Sequence, residues 1–538
     1  MTTYGIDLGT TQSCIARVDM SGRPVVLKSA EGHDTTPSVV YFDSPENVVV
    51  GQQAKDMVLL APHLVSELIK RQMGSDAHYS FHGKDHTPES ISALILRELA
   101  RAAGQAGEEV HDVVITVPAY FGLLERDATR KAGKIAGLNV LDVLAEPVAA
   151  ALNYQSLGEA GGQRHIFVFD LGGGTFDTTV IRIDGDDVHV VCTDGDHHLG
   201  GADWDSKVSD FLLRSFKEQY PQLDPGSDEQ FLQELANSAE QLKKALSAAT
   251  ARKLSLRYDG STAQVELTRE RFEELTSELL ERTMEITRRT LAAARGKGVE
   301  NYDDVLLVGG MTIMPAIART LEERFGLRAK MQDPHLAVAK GAAMYALLKK
   351  IQVSMPDDDD PAAAEQAAVE SGIDPQLAAR WGNKNVTTVV PRAFGLKVLD
   401  EKDPLFKIDR SRARAYISHL LTANMELPAE TGPQPFATVS DNQRAVQLEV
   451  WEQAGAIASE ELSHNACIGQ GRLEDLPPGP AGTPFLVTFQ MSATGLLTVH
   501  AWEESSGQDV RFTIEIGNLN EAQVQEATEV VAGYEVNG

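Results

Sequence analysis

The sequence is poor in cysteine and in positive charge, and each shortage removes a class of protein. Only three cysteines occur in 538 residues, Cys14, Cys192 and Cys467, far apart and with no CxxC pair. That excludes a disulfide framework and a zinc knuckle, and it points to a reducing compartment. No stretch approaches the roughly 18 consecutive apolar residues that span a bilayer. The opening MTTYGIDLG has no basic region followed by an apolar core, so no export signal and a cytoplasmic location are expected. Lys and Arg number 49 against 78 Asp and Glu, a formal net charge of -29. Such a surface repels phosphate backbones and anionic membranes, so neither nucleic acid nor membrane is expected as a partner. The GxxxxGK[ST] pattern is missing too, and any nucleotide site must be built without a P-loop.

What is present is ordinary for a globular chain, with 42% hydrophobic and 24% charged residues. The length predicts three to four packed units at about 150 residues each. Over residues 1–351, β-branched runs such as DVVITVPAY, HIFVFDLGGG and DDVLLVGG alternate with amphipathic helical stretches, an α/β pattern. Residues Asp228–Ala249 and Thr268–Ala294 read as long helices of a helical subdomain. Residues 352–385 form an acidic insertion and linker, with the run Asp357–Asp360 and a thin helical stripe over roughly 361–380. A solvated linker explains the acidic run better than a calcium site, which needs spaced carbonyl ligands. Residues 386–517, with TTVV, AVQLEVWE, PFLVTFQMS and GLLTVHAWE between Pro/Gly turns, read as an all-β domain, and 518–538 as a short helix or tail.

Two segments carry phosphate chemistry. The first, YGIDLGTTQSCIAR from Tyr4 to Arg17, is a strand, a tight turn and a returning strand. Glycine lets backbone N–H groups approach an anion, Thr10 and Thr11 add hydroxyl donors, and Asp7 at the strand end suits hydrated magnesium. Alone this is no more than a hairpin. The segment HIFVFDLGGGTFDTTV from His165 to Val180 repeats the pattern, implying two related lobes with one phosphate site between them. A third glycine pair, Gly309-Gly310 in LLVGGMTIMP, offers a bare surface to a base or ribose.

The doubled hairpin resembles the ATPase fold shared by actin, sugar kinases and heat-shock chaperones. The connecting segments VITVPAYF, AGLNVLDVLAEPVAAAL, HLGGADWD and LLVGG resemble the seventy-kilodalton heat-shock chaperones, the DnaK family, in order and spacing. The β-domain is similar through SDNQRAVQLEV and LPPGPAGTPFLVTFQMSATGLLTVHA. The resemblance implies a two-lobed actin-like ATPase domain of duplicated ribonuclease H-like lobes, followed by a β-sandwich that binds substrate. It implies ATP/ADP and magnesium as cofactors, with potassium a second candidate cation. Asp7, Asp170 and Asp177 would serve the metal; Thr10, Thr11, Gln12, Gly172, Gly173, Gly174, Gly200 and Gly201 the phosphates. Lys70, Glu146, Thr175, Asp7 and Asp170 would form the catalytic set. Glu240, Lys243, Lys244 and Ser247, on one helix face, would meet the adenosine with Gly309, Gly310 and Ile313, although the family usually has arginine where Ile313 stands. An ordinary solvated helix face is the alternative for the first four. Phe436, Val439, Val446 and Leu448 match groove positions for extended polypeptide, and β-sandwich alternation equally places them in the core. His197 and His198 match a segment in which one histidine has an interlobe structural role.

Three departures lie outside the ATPase centre. The linker Asn385-Val-Thr-Thr-Val-Val-Pro391 replaces a leucine-rich one, so coupling between ATP and peptide is expected to be reshaped. Asp142, Ala145 and Val148 stand where the family meets J-domain cochaperones with Arg, Asn and Thr, which argues against ordinary J-domain docking; a nucleotide-exchange factor stays open. About twenty residues after the β-domain leave no room for a full helical lid. The leading expectation is an ATP-hydrolysing chaperone with fast peptide exchange. The alternatives are a nucleotide-gated module for one partner and, with the β-domain against it, a small-molecule kinase or filament protein.

Overall fold

A computed structural model describes residues 2–156, 162–331, 333–354, 384–455, 457–514 and 519–538. The acidic run Asp357–Asp360 and the helix expected over roughly 361–380 lie outside the described residues. No helix among the described residues is long and apolar enough to cross a membrane.

The two sheets of the ATPase region have the same topology. In lobe I the order is Asn139–Ala145, Asp112–Val117, Thr3–Asp7, Gln12–Val18, Pro24–Leu27. In lobe II it is Lys330–Met331, Asp304–Val308, Gln163–Leu171, Phe176–Asp184, Asp187–Asp196. Each begins as an antiparallel meander whose first strand then pairs parallel with the fourth. Parallel strands need both faces covered, and Asp304–Val308 is buried throughout, as its unbroken apolar run requires.

Two helices cross between the lobes. Glu146–Ser156 leaves lobe I and packs on the lobe II strand Gln163–Leu171, while Ala337–Ser354 leaves lobe II and packs on Thr3–Asp7. They touch backbone to backbone: a Cβ on Gly341 would stand 1.7 Å from the Ala149 carbonyl oxygen. The alanine-rich composition of both helices is what lets them approach so closely.

Above lobe II, helix Glu229–Leu246 is capped by Asp228, which accepts from the Phe231 amide at 3.0 Å. It buries Phe231, Leu235, Ala239, Leu242 and Leu246, a stripe at helical spacing that leaves Glu240, Lys243 and Lys244 off the core face. The subdomain is not purely helical, since the hairpin Ala251–Tyr258 with Ser261–Thr268 follows. The stretch expected as one helix over Thr268–Ala294 is two, Arg269–Leu275 and Ser277–Gly296, broken at buried Thr276, whose hydroxyl donates to the Phe272 carbonyl.

Residues 394–513 form a β-sandwich. One sheet runs Ala415–Leu421, Phe394–Leu399, Val446–Gln453, Asn465–Leu473; the other is built on Pro484–Met491, Leu497–Glu503 and Gln508–Thr513, with Ala429–Glu430 and Gln434–Ala437 at its edge. Leu396, Val450 and Leu473 meet Val487, Phe489 and Val499 in the core between them. The boundary expected at 386 is displaced. Asn385–Thr387 joins lobe II as a strand parallel to Asp187–His189, because that sheet ends in an edge whose backbone groups need partners.

Of the helix or tail expected over 518–538, the structure has a helix, and it is docked. Helix Glu521–Ala532 packs on Pro88–Gln105 and Leu123–Ile135 of lobe I, and Glu535–Asn537 pairs in parallel with Asn47–Val49. Leu519, Val531, Tyr534 and Val536 belong to the lobe I core, and the Tyr534 hydroxyl bonds His86 Nε2 at 3.0 Å beside Phe42 and Phe81. Tyr534→Ala should therefore cost on the order of 3 kcal/mol and lower the urea midpoint of the ATPase region. Tyr534→Phe, which loses only the His86 bond, should cost about 1 kcal/mol. An unchanged midpoint for the alanine variant would mean that the terminal segment merely rests on the surface.

Candidate nucleotide site

The two hairpins meet at the floor of a cleft of about 560 Å³ between the lobes. Thr10 and Thr11 of the first lie against Gly174 and Gly173 of the second; a Cβ on either glycine would fall 2.3 Å from a threonine side chain. This contact demands glycine at both positions. The second turn is closed by the Gly172 amide donating to the Thr175 carbonyl at 3.0 Å. Behind it, helix Gly201–Gln219 donates from Gly201 to Gly172 O and from Ala202 to Gly173 O. Arg71 crosses from lobe I to bond Gly174 O at 3.0 Å and to grip both oxygens of Asp203.

Lys70 sits in the short turn Ile69–Gln72 and is 4% exposed. Its ammonium pairs with Glu146 Oε1 at 2.5 Å, where the strand Asn139–Ala145 runs into the crossing helix. Around this pair stand three aspartates, Asp170 and Asp177 buried and Asp7 partly so. Burial, then repulsion from Glu146, pushes Asp7 up to about 7 despite the pull of Lys70. Burial, then Glu146, Asp177 and Asp7, raises Asp170 well above the carboxylate range. Asp177 is pushed up to about 8 by burial and Glu146. Four carboxylates thus face one ammonium, and the donors are hard oxygens. Among the described residues no three His, Cys, Asp or Glu side chains converge to ligate a metal directly. The arrangement fits a cation that keeps its waters and shares phosphate oxygens, as magnesium does.

Most residues singled out from the sequence line this cleft: Asp7, Thr10, Thr11, Gln12, Lys70, Glu146, Asp170, Gly172, Gly173, Thr175, Gly201, Glu240, Lys243, Lys244, Ser247, Gly309, Gly310 and Ile313. Three others do not line it. Gly174 and Gly200 pack against each other behind the turn. Asp177, placed among the metal residues, is turned away, its Oδ1 accepting from the Tyr120 amide at 2.9 Å. Lys243 is tied to Asp205 at 2.6 Å and to Gly201 O, so it braces the second hairpin.

Sequence reasoning missed several participants. Lys55, on helix Gln52–Met57 of lobe I, reaches across the cleft to Glu240 at 2.6 Å, and Lys244 holds the other oxygen. Nothing in the local sequence marks Lys55, because its role exists only when the lobes face each other. Arg71 is adjacent to Lys70 in LIKR, a signal that was present. His335 also lines the cleft.

The β-sandwich touches the same centre from behind. Tyr120, whose amide holds Asp177, receives Arg392 Nε on its carbonyl at 3.1 Å and donates its hydroxyl to the Gly455 carbonyl at 2.8 Å. Arg392, 4% exposed, also pairs with Glu125 at 2.9 Å and lies 4.9 Å from the Tyr120 ring centre. Buried Glu452 accepts from the Leu123 amide at 3.1 Å. His197, in line with an interlobe position, lines a smaller cavity at this three-way junction with Arg392 and Glu452. Of the groove candidates, Leu448 is buried in the sandwich core, Phe436 and Val446 are partly buried against it, and Val439 is partly exposed. Ala145 and Val148 are buried, and Asp142 is engaged by Tyr345 at 3.0 Å and Lys349 at 3.3 Å.

Burial alone would raise Glu240, yet the bonds from Lys244 and Lys55 outweigh it and hold the carboxyl down at about 2. A depressed carboxylate stabilises the fold above its unfolded pKa and loses that contribution as pH falls through its folded value. Wild type should thus be more stable than Glu240→Gln at pH 7 and 5, with the gap closing below about pH 4.5 and gone near pH 2. Urea midpoints of both proteins along this pH series check it.

Comparison with protein families agrees with this geometry. The family model described as Hsp70 protein matches residues 3–81, 76–357 and 408–535, which takes in both lobes and most of the sandwich. The chain belongs to the Hsp70 family, whose members are ATP-binding chaperones with ATPase activity.

Proposed function

We propose that this chain is an ATP-hydrolysing chaperone of the DnaK type that binds extended hydrophobic segments through its β-sandwich and exchanges them quickly. The observation that carries the hydrolytic part is the buried Lys70–Glu146 pair set between two aspartate-bearing hairpins. Asp7 and Asp170 would hold magnesium through its waters, with Thr10, Thr11 and the Gly172–Gly174 turn around the phosphates. The bound ion supplies charge neutralisation and orientation of the phosphate oxygens. Lys70 offers a fixed positive charge where negative charge develops at the transferred phosphoryl group. Glu146, held in place by Lys70, can orient a water and accept its proton. Thr175, which lines the same cleft, would help to position that water.

Fast exchange is supported by the position of helix Glu521–Ala532, which packs on lobe I and not over the sandwich. A peptide in the groove would then leave without waiting for a lid. Val439, with Phe436 and Val446, is the part of the proposed groove that the core leaves accessible. The second reading, a nucleotide-gated module for a dedicated partner, is favoured by Asp142: Tyr345 and Lys349 occupy it where J-domain docking calls for an available cation.

Lys70→Ala should reduce ATP turnover by about a hundredfold or more while sparing ATP binding; unaltered turnover would remove Lys70 from the catalytic set. A generic hydrophobic peptide should stimulate wild-type hydrolysis. Arg392→Ala, which strips the Tyr120 carbonyl and Glu125 of their partner, should abolish that stimulation and leave basal turnover within about threefold. Hydrolysis indifferent to peptide in wild type would select the partner-binding module.

A further inference from the structure

One part of the cleft lies where the expected arginine is replaced by Ile313. Three exposed side chains line it: Ile313, 38% exposed, Lys244, and the ring of His335. An apolar side chain and an uncharged ring left open in a cleft are the surfaces a flat ligand would cover. His335 is the only aromatic ring among the described residues lining the cleft, since no Phe, Tyr or Trp reaches it.

The ring is also held in place. The Pro334 carbonyl accepts from the Gly309 amide at 3.0 Å, tying this segment to the glycine pair. The Asp333 carbonyl accepts from Leu336 and Ala337, which start the crossing helix, and the Asp333 carboxylate pairs with Lys340 at 2.5 Å. A Cβ on Gly310 would come 2.9 Å from His335 Cε1, so the imidazole edge rests on bare backbone. We propose that His335 is a base-binding residue of this chain, its ring forming the platform on which a purine base stacks beside Ile313. The proposal rests on the nucleotide-site reading above.

An anion-binding role fits less well. Burial and the Lys244 ammonium hold His335 below the ordinary imidazole range, so the ring is neutral at pH 7. A neutral ring beside a lysine leaves phosphate to the lysine and the base to the ring. Stacking on an aromatic ring is sequence-tolerant and strong enough to dominate base affinity.

The test is calorimetric titration of the full-length protein, with magnesium present, using ATP and inorganic tripolyphosphate as separate probes. His335→Ala should weaken ATP at least about fivefold and leave tripolyphosphate unchanged, and His335→Phe should restore ATP affinity to within about twofold of wild type. Wild-type affinity for ATP in His335→Ala overturns the proposal, as does an equal loss for both probes, which would mark a phosphate or structural role. No ATP binding by wild type itself would overturn the nucleotide-site reading and the proposal with it.

Discussion

Three carboxylates at the floor of the cleft and a fourth just behind it surround one lysine, and this imbalance governs the protein around it. Asp7, Asp170, Asp177 and Glu146 are drawn together by two strand ends, a strand start and a helix start, positions set by the sheets and not by mutual attraction. Burial raises the pKa of all three aspartates, Glu146 raises each of them further, and Asp177 and Asp7 add to the rise at Asp170. The fold tolerates the cluster because both sheets and the crossing helices are packed tightly enough to offset it. A site kept short of positive charge is a site prepared for a cation and for phosphate carried with it.

The route out of this floor runs through Tyr120. Its amide faces Asp177 on one side, and its carbonyl, ring and hydroxyl face Arg392 and Gly455 of the sandwich on the other. One residue therefore contacts both the charged centre and the β-sandwich. Gln453 reinforces it by donating to the Tyr120 hydroxyl at 3.3 Å. Such a contact can pass a change of charge at the floor to the sandwich as a change of backbone position.

Much of the site was legible before the structure, because its residues belong to long motifs with distinctive turns. The Asp-Leu-Gly hairpins and the Glu240, Lys243, Lys244 face are local patterns, and local patterns survive in a one-dimensional reading. Lys55, Arg392 and His335 act only through tertiary placement, and each is an unremarkable polar residue in its own segment. The strands Asn385–Thr387 and Glu535–Asn537 escaped for another reason: three residues are too few to display alternation, and what makes them strands is the waiting edge of another sheet. The fate of Leu448 shows the limit from the other side. Alternation placed it facing inward but could not say whether inward meant groove or core.

Those two short strands have a topological effect. The sandwich is fastened to lobe II where it begins and to lobe I where it ends, so ATPase and sandwich form a closed ring of chain. If the Tyr120 and Arg392 contacts break, the sandwich does not diffuse away on a single tether; it swings within a loop pinned at both ends. Intramolecular partners held in this way see one another at an effective concentration on the order of millimolar or more. Re-docking would then be fast, and a weak interface would suffice to keep the sandwich engaged for most of the time.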